Sequence, residues 1–286
     1  MQFGHLNEHG VGIIMKELVR RALEVIRNTR YKFLVTAKEG YTPDREDLFT
    51  SADTEAQRIY LRSLQECFPG YGIIAEEGIL SIASTHPDRL FFTVDPLDGT
   101  RAFVRRQSHA IGTMLSLCSP DRLLSAYIGD VNTREIFGFR PGSDSVHRIS
   151  EFNTYETMSF SPRRLKNSYV LLRDPEHMHS PFTQRFIRGA FKNQIVDGGS
   201  IGIWLARLWK GEVGAAILPP STITPWDENP IVAISERMGF VYLRLNHNRG
   251  RKWRLCDDSY APVMSMRQRD YDVLIVHRDN LSEVLG

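Results

Sequence analysis

The chain has 286 residues, 42% apolar and 24% charged, with 21 Gly, 14 Pro and no biased tract, which excludes disordered, collagenous and low-complexity classes. Lys and Arg total 36 against 34 Asp and Glu, so a formal charge of +2 creates no overall field for nucleic acid or an anionic membrane. Cys67, Cys118 and Cys256 are odd in number and outside any CxxC spacing, which argues against a disulfide framework or a zinc site and for a reducing, cytoplasmic setting.

The N-terminal stretch has too short an apolar run for a signal-peptide core or a spanning helix, so no membrane association is expected. From Val11 to Asn28, Ile14, Leu18, Ala22, Val25 and Ile26 recur at helical spacing, predicting an amphipathic helix. A polar loop with Gly40 and Pro43 follows. Thr50 or Ser51 then caps a second helix carrying Ala56, Ile59, Tyr60 and Leu64, which ends at Pro69-Gly70. Short β-like runs come next: Gly72 to Ala75, Leu90 to Val94, Ile111 to Leu117, Ala126 to Val131 and Glu135 to Phe139.

The second half alternates. Strands are predicted at Tyr169 to Leu172, Ala215 to Leu218 and Phe240 to Leu245, with helices at Phe182 to Phe191, Ile201 to Trp209 and Pro230 to Met238. The pattern divides the chain into an α+β part over 1–150, with a largely antiparallel sheet, and an α/β part over 151–286. The boundary is placed in the polar stretch Pro141 to Glu156, with the site at the junction.

Three acidic clusters follow apolar runs, where strands deliver side chains to a sheet edge. The first is Glu76-Glu77 after Ile73-Ile74-Ala75. The second, Asp95-Pro96-Leu97-Asp98-Gly99-Thr100, is the most specific: Pro96 fixes φ and Gly99 permits a left-handed turn, so both Asp side chains and the Leu97 carbonyl can converge. Hard oxygens of this kind suit Mg²⁺, Mn²⁺ or Ca²⁺. A helix starting at Thr100 would add an anion cradle from the Gly99 and Thr100 amides. The same residues also fit an Asx-type turn in which the carboxylates bond only backbone amides, and both readings stand. The third cluster, Trp226-Asp227-Glu228, sits just before a predicted helix, where Asp227 also fits a plain N-cap.

Taken together and in order, these segments resemble the inositol monophosphatase and fructose-1,6-bisphosphatase superfamily of metal-dependent, lithium-sensitive phosphatases. The resemblance rests on Lys38, the segment Asp47 to Asp53, Phe68-Pro69-Gly70, Ile73 to Glu77, Asp95 to Thr100, Gly199-Ser200, Trp209-Lys210-Gly211 and Trp226-Asp227, and spans roughly residues 10 to 245. It implies a layered αβαβα sandwich, a homodimer, two or three Mg²⁺ ions with Mn²⁺ as a substitute, and hydrolysis of a small phosphorylated metabolite. By the same resemblance Glu76, Asp95 and the Leu97 carbonyl hold the first metal, and Asp95, Asp98 and Asp227 the second. Glu76 and Thr100 position the attacking water, and Asp53 orients the Thr100 hydroxyl. Gly99, Thr100, Ser200, Asp227 and Arg101 lie against substrate, and Lys38 belongs to a mobile loop.

The chain departs from the inositol branch in three places beside the expected pocket, two of them being Glu228-Asn229-Pro230, where that family has small residues, and Glu236-Arg237-Met238-Gly239, where it has Glu-Ala-Gly-Gly. The third, Leu218 to Thr224, contains no carboxylate, where enzymes of inositol monophosphates carry an acid that binds ring hydroxyls. Asp98-Gly99-Thr100-Arg101 with Ile111-Gly112-Thr113 looks more like the histidinol-phosphate and nucleotide 3′-phosphate branches. Arg101 is equally a solvent-facing first-turn residue, and Arg105 and Arg106 are read as helix-end cations. The basic segment Arg244 to Arg254 is read as a solvated hairpin rather than a nucleic-acid surface, and His109 and His277 as packing residues. The alternative to an enzyme is a catalytically idle relative that binds a phosphorylated ligand or partner.

Overall fold

The computed structural model describes residues 3–39, 46–246, 252–255 and 261–285. Helix α1 (Glu8–Thr29) begins one turn earlier than its periodicity predicts, because Asn7 Oδ1 caps it by accepting the Gly10 amide at 2.7 Å. Its buried stripe runs through Val11, Met15, Leu18, Ala22 and Ile26. Strands β1 (Val35–Glu39) and β2 (Glu46–Thr50) form an antiparallel ribbon where the sequence predicts only a polar loop. The backbone of Lys38 lies in this ribbon opposite Asp47. The expectation for its side chain falls outside the described residues, as do Gly40, Pro43 and Cys256. Helix α2 (Ser51–Cys67) starts at a capping box in which Thr50 and Asp53 satisfy each other's end of the first turn.

The first sheet is built from β3 (Gly72–Ala75), β4 (Leu80–Ile82) and β5 (Phe91–Asp98), then, after the short helix α3 (Thr100–Val104), from β6 (Gly112–Cys118), β7 (Leu123–Asp130), β8 (Ile136–Phe139), β9 (His147–Ile149) and β10 (Tyr155–Thr157). Its order is β10-β9-β8-β7-β6-β5-β3-β4, antiparallel except where β3 lies parallel to β5. The polar stretch 141–156, expected to be a boundary, supplies β9 and the start of the edge strand β10, the last two strands at one side of this same sheet. Their side chains are partly or fully exposed apart from Ile149, so no apolar run marks them.

The second sheet follows from β11 (Tyr169–Leu172), α4 (Pro181–Ala190), β12 (Asn193–Val196), α5 (Ile201–Trp209), β13 (Ala215–Leu218), β14 (Ser221–Ile223), α6 (Pro225–Arg237), β15 (Phe240–Asn246), β16 (Lys252–Leu255), β17 (Arg267–Arg269), β18 (Val273–His277) and α7 (Leu281–Leu285). Its order is β12-β11-β13-β18-β15-β16, parallel across β12, β11 and β13 and antiparallel beyond. Strands β14 and β17 make a separate ribbon. β15 and β16 pair antiparallel at the two ends of the basic segment, and residues 247–251 between them lie outside the described residues.

Five layers result. Helices α1 and α2 cover one face of the first sheet, α5 and α6 fill the space between the sheets, and α4 and α7 pack on the outer face of the second. The middle layer is the most apolar: Trp204, Leu205, Leu208 and Trp209 of α5 and Ile231 to Ile234 of α6 are buried against both sheets. This is the αβαβα arrangement expected from the resemblance. Cys67 and Cys118 are both free thiols. Among the described residues no helix is long and apolar enough to cross a membrane.

Candidate active site

The site starts from the parallel pairing of β3 and β5. Ala75 stands opposite Val94, so Glu76 and Asp95 leave neighbouring strands side by side, and the Glu76 amide donates to the Val94 carbonyl at 3.2 Å. Gln57 of α2 clasps the following residue from both directions, accepting from the Glu77 amide at 3.1 Å and donating to its carbonyl at 2.9 Å. A groove of about 1140 Å³ between α2 and residues 77–79 opens beside Glu76.

β5 does not end at Val94 as predicted but continues to Asp98. Its register with β6 slips between Asp95 and Asp98, a bulge that spans Pro96 and lets this internal strand tolerate a missing N–H. The bulge brings both carboxylates to the same side. Asp95 is 3% and Asp98 5% exposed. Asp95 Oδ1 accepts the Leu97 amide at 3.0 Å, and the Asp95 carbonyl accepts the Thr113 hydroxyl at 3.0 Å.

Gly99 then turns the chain with φ at +89°, in the left-handed region. A side chain there would press within 2.6 Å of both the Ala110 carbonyl oxygen and the Ser200 nitrogen. That contact brings the first turn of α5 against β5. Asp98 Oδ2 accepts the Ser200 hydroxyl at 2.5 Å and the Gly202 amide at 2.9 Å, and Oδ1 accepts the Ile201 amide at 3.0 Å. The carboxylate thus sits on the N-terminus of α5, where the helix dipole favours it. With two donors on Oδ2, the remaining acceptor capacity of Asp98 lies on Oδ1.

Asp227 arrives from the middle layer. Helix α6 begins at Pro225, five residues before the predicted start, so Asp227 lies inside the first turn and is not the N-cap. The cap position is Thr224, whose hydroxyl donates to Asp227 Oδ2 at 2.8 Å. Pro225 occupies the first helical position, where its missing N–H costs nothing, and Pro230 lies within the helix. One carboxylate oxygen from each of Asp95, Asp98 and Asp227 falls within 4.8 Å of the others.

Thr100 completes the group. Its hydroxyl is placed to donate to the Leu97 carbonyl at 3.1 Å or to Asp53 Oδ1 at 3.3 Å. Asp53 is fully buried, and its Oδ2 is fixed by the Thr50 amide and hydroxyl at 2.8 and 2.5 Å. The structure therefore assembles Glu76, Asp95, the Leu97 carbonyl, Asp98, Asp227, Thr100 and Asp53 in one place. Ser200, expected against substrate, is instead fully buried with its hydroxyl committed to Asp98 and to the Ile203 amide at 3.0 Å. Arg101 is exposed on α3, as are Arg105 and Arg106. His277 packs against Phe240 and Phe160 as expected, but His109 is exposed beside Asp197.

The electrostatics of this cluster call for a cation. Burial, then repulsion from Glu76, Asp98 and Asp227, drives the Asp95 carboxyl well above its usual range. Asp98 is raised by burial, and Asp227 is raised to about 6 by burial and by Asp98. Two buried carboxyls and the partly buried Asp227, all resisting ionisation, with acceptor oxygens converging and no His or Cys among them, fit a hard divalent cation such as Mg²⁺ or Mn²⁺. The positive group that offsets Asp98 and Asp227 is Arg173, at the C-terminal end of β11. Sequence reading missed it; its only signal is an Arg immediately after the apolar run Tyr169 to Leu172.

The profile of the Inositol monophosphatase family matches residues 9–277. The chain belongs to the inositol monophosphatase family. Among sequence relatives, a Nus factor SuhB of Xylella fastidiosa is 27% identical over 138 residues, covering 45% of this chain and 48% of that protein. An inositol-1-monophosphatase of Bacillus subtilis is 33% identical over 98 residues, covering 33% and 34%. The matched segments thus span about half or less of these curated relatives. Among solved structures, an IMPase/NADP phosphatase complexed with NADP and Ca²⁺ superposes with a TM-score of 0.75 at 18% identity, covering 99% of this family member and 96% of that chain. The suhB protein of Bartonella henselae superposes with a TM-score of 0.72 at 17% identity, covering 96% of each chain. At such identities the structural likeness establishes the fold alone.

Proposed function

We propose that this family member is a Mg²⁺-dependent phosphatase that hydrolyses a phosphate monoester of a small metabolite, with histidinol phosphate, a nucleotide 3′-phosphate or a sugar phosphate as the substrate class. The observation that carries this reading is the convergence of Asp95, Asp98 and Asp227, with Glu76 beside Asp95 and the Thr100–Asp53 pair alongside. Glu76, Asp95 and the Leu97 carbonyl would hold one ion, and Asp95, Asp98 and Asp227 a second. When bound, Mg²⁺ or Mn²⁺ supplies Lewis acidity, offsetting phosphoryl charge and acidifying water.

The remaining work falls to the chain. The Thr100 hydroxyl has one proton, committed to Asp53 or to the Leu97 carbonyl, so it faces a water with lone pairs and accepts that water's O–H. Glu76, partly exposed at the mouth of the groove, is placed to take the water's second proton as the water oxygen attacks phosphorus, while the ester P–O bond breaks and the departing alcohol oxygen takes up a proton from solvent water. Gly99 and the first-turn amides of α3, which have no intrahelical acceptor, bind phosphoryl oxygens and keep the attack in line. Inhibition by lithium and a homodimeric state belong to the same reading.

A second reading, a catalytically idle relative that binds a phosphorylated ligand or partner, is favoured by the Nus-factor name of SuhB relatives. One experiment separates the two. Phosphate release is measured on a panel of inositol, histidinol, 3′-nucleotide and sugar phosphates with Mg²⁺ and with chelator. Metal-dependent turnover of a panel member, lost in Asp95→Asn, supports the phosphatase. No release from any member by protein with calorimetrically demonstrated Mg²⁺ binding moves the assignment to the second reading.

A further inference from the structure

Arg173 stands where the two halves of the site meet. β11 and β12 run parallel, and the Asp197 amide donates to the Leu172 carbonyl at 3.0 Å, so both strands release their chains at the same sheet edge. One chain continues as Arg173, the other as the Gly198-Gly199-Ser200 turn into α5. Arg173 Nη2 donates to the Gly199 carbonyl at 2.6 Å, tying the guanidinium to the turn whose next residues hold Asp98.

The other terminal nitrogen is unspent. Nη1 is shut off from solvent and has no hydrogen-bond partner. Leaving a donor of a charged group unpaired is unfavourable, and an acceptor arriving from outside the chain would satisfy it. The nearby acids do not serve. Neither acid is hydrogen-bonded to Arg173 among the described residues: Asp98 accepts from Ser200, Ile201 and Gly202, and Asp227 Oδ2 from Thr224. Arg173 forms no ion pair among the described residues, although its charge is felt by both carboxyls.

Its position within the cluster is asymmetric. Arg173 is tied through the Gly199 turn to the Asp98 end, whereas Glu76 follows β3 and stands beside Asp95 on the neighbouring strand. Arg173 therefore flanks the end of the cluster away from Glu76, the water-activating end, and so borders the leaving-alcohol side. A second buried cation, Arg269, holds the Pro219 carbonyl at 3.1 Å and the Ser221 hydroxyl at 2.8 Å, with the Glu228 carboxylate 4.0 Å away.

We propose that Arg173 is a specificity-determining residue that binds an anionic oxygen on the alcohol portion of the substrate, so that the enzyme prefers phosphate monoesters carrying a second anionic group, a carboxylate or another phosphate, over esters of neutral polyols. The inference rests on the phosphatase reading and narrows its substrate class. A charge-assisted hydrogen bond of this kind contributes roughly 1.5–3 kcal/mol, or about tenfold to a hundredfold in affinity.

The test uses full-length protein with Mg²⁺ and three probes in a calorimeter: inorganic phosphate, glycerol 3-phosphate, and 3-phosphoglycerate, in which a carboxylate replaces the neutral end of the same skeleton. The wild-type protein is expected to bind 3-phosphoglycerate at least about tenfold tighter than glycerol 3-phosphate. Arg173→Gln is expected to bring the two constants to within about twofold while Mg²⁺ still binds, and Arg173→Lys, a point charge in place of a fork, to keep only part of the preference. Arg173→Lys alone decides the matter should Arg173→Gln not fold. Wild-type binding of phosphate without preference within the pair, or a preference that survives both substitutions, overturns the inference and leaves the phosphatase reading intact. Absence of Mg²⁺-dependent phosphate binding by the wild-type protein overturns both. An arginine that merely braces the Gly199 turn would alter stability and leave the ratio of the two affinities unmoved.

Discussion

The Ser200 hydroxyl donates to Asp98 Oδ2 at 2.5 Å and accepts the Ile203 amide at 3.0 Å, so one side chain both caps helix α5 and aims a carboxylate of the first sheet. The two residues belong to different layers, and this bond is where the layers meet at the acidic cluster. A serine that follows two glycines is thereby a positioning residue.

Ser200→Ala removes the cap and leaves the buried Asp98 with one donor fewer. Denaturant unfolding is expected to show a loss of about 1–2 kcal/mol. Calorimetric Mg²⁺ titration is expected to show weaker binding, because Asp98 loses the donor that fixes its orientation. Unchanged metal affinity would show that Ile201 and Gly202 suffice to hold Asp98.

Gly99→Ala forces a left-handed residue to carry a side chain into backbone atoms at 2.6 Å on two sides. The cost is expected to be about 2–4 kcal/mol, with α5 displaced from Asp98. Melting temperature and Mg²⁺ affinity should fall together. A variant that keeps both would place the turn differently.

Asp95→Asn separates function from folding. Metal-dependent phosphate release should be abolished, since Asp95 stands among all the other acids of the site. In chelator near pH 8 the variant should be more stable than wild type by about 1–2 kcal/mol, because a buried charge among like charges is replaced by a neutral amide. Thermal melts in EDTA check the sign, and a variant less stable than wild type would contradict the repulsion.

The same repulsion fixes a pH dependence. Asp227 takes its proton at about 6 in the fold against an ordinary 3.8, and Asp95 and Asp98 are raised as well. Across that window the folded chain holds more protons than the unfolded one, so these groups reduce stability as pH rises through it. Bound Mg²⁺ offsets the ionised carboxylates. The gain in melting temperature on adding Mg²⁺ is therefore expected to be small near pH 4 and to grow through pH 6, reaching several degrees for saturating metal. A gain independent of pH would remove the carboxylates from the metal site.

Asp272 behaves oppositely and far from the acids. It accepts from His179 Nδ1 at 2.8 Å, the Thr183 hydroxyl at 2.7 Å and the Ser180 amide at 3.2 Å, anchoring the start of α4. Burial opposes its ionisation, but those donors prevail and hold its carboxyl below the usual range. Its stabilisation is present above the ordinary carboxylate value and is lost as pH falls through the lowered one. Asp272→Asn should cost about 2–4 kcal/mol in denaturant unfolding, with Mg²⁺ affinity of the folded protein unchanged.

Much of this protein is written locally. The 3.6-residue stripe of α1, the capping pair at the start of α2, the apolar runs of β3, β5, β6 and β11, and the acids that follow the first two of those runs are each set within a few neighbouring residues. Side-chain periodicity and turn chemistry act over that range, and the ordered acidic motifs were enough to indicate the family. Other features depend on which strand lies beside which and on the packing of α5 and α6 between the sheets. The bulge that carries β5 on to Asp98 exists because β6 keeps pairing past Pro96. Asp227 comes within reach of Asp95 because α6 packs against β5, and Ser200 turns from a substrate contact into the anchor of Asp98 because Gly99 lets α5 approach to backbone distance. Arg173 gains its meaning only from the parallel β11–β12 edge, which sets a lone arginine beside the turn that holds Asp98. Such contacts join residues far apart in the chain, and their energy comes from layer packing and burial, which no local pattern of residues encodes.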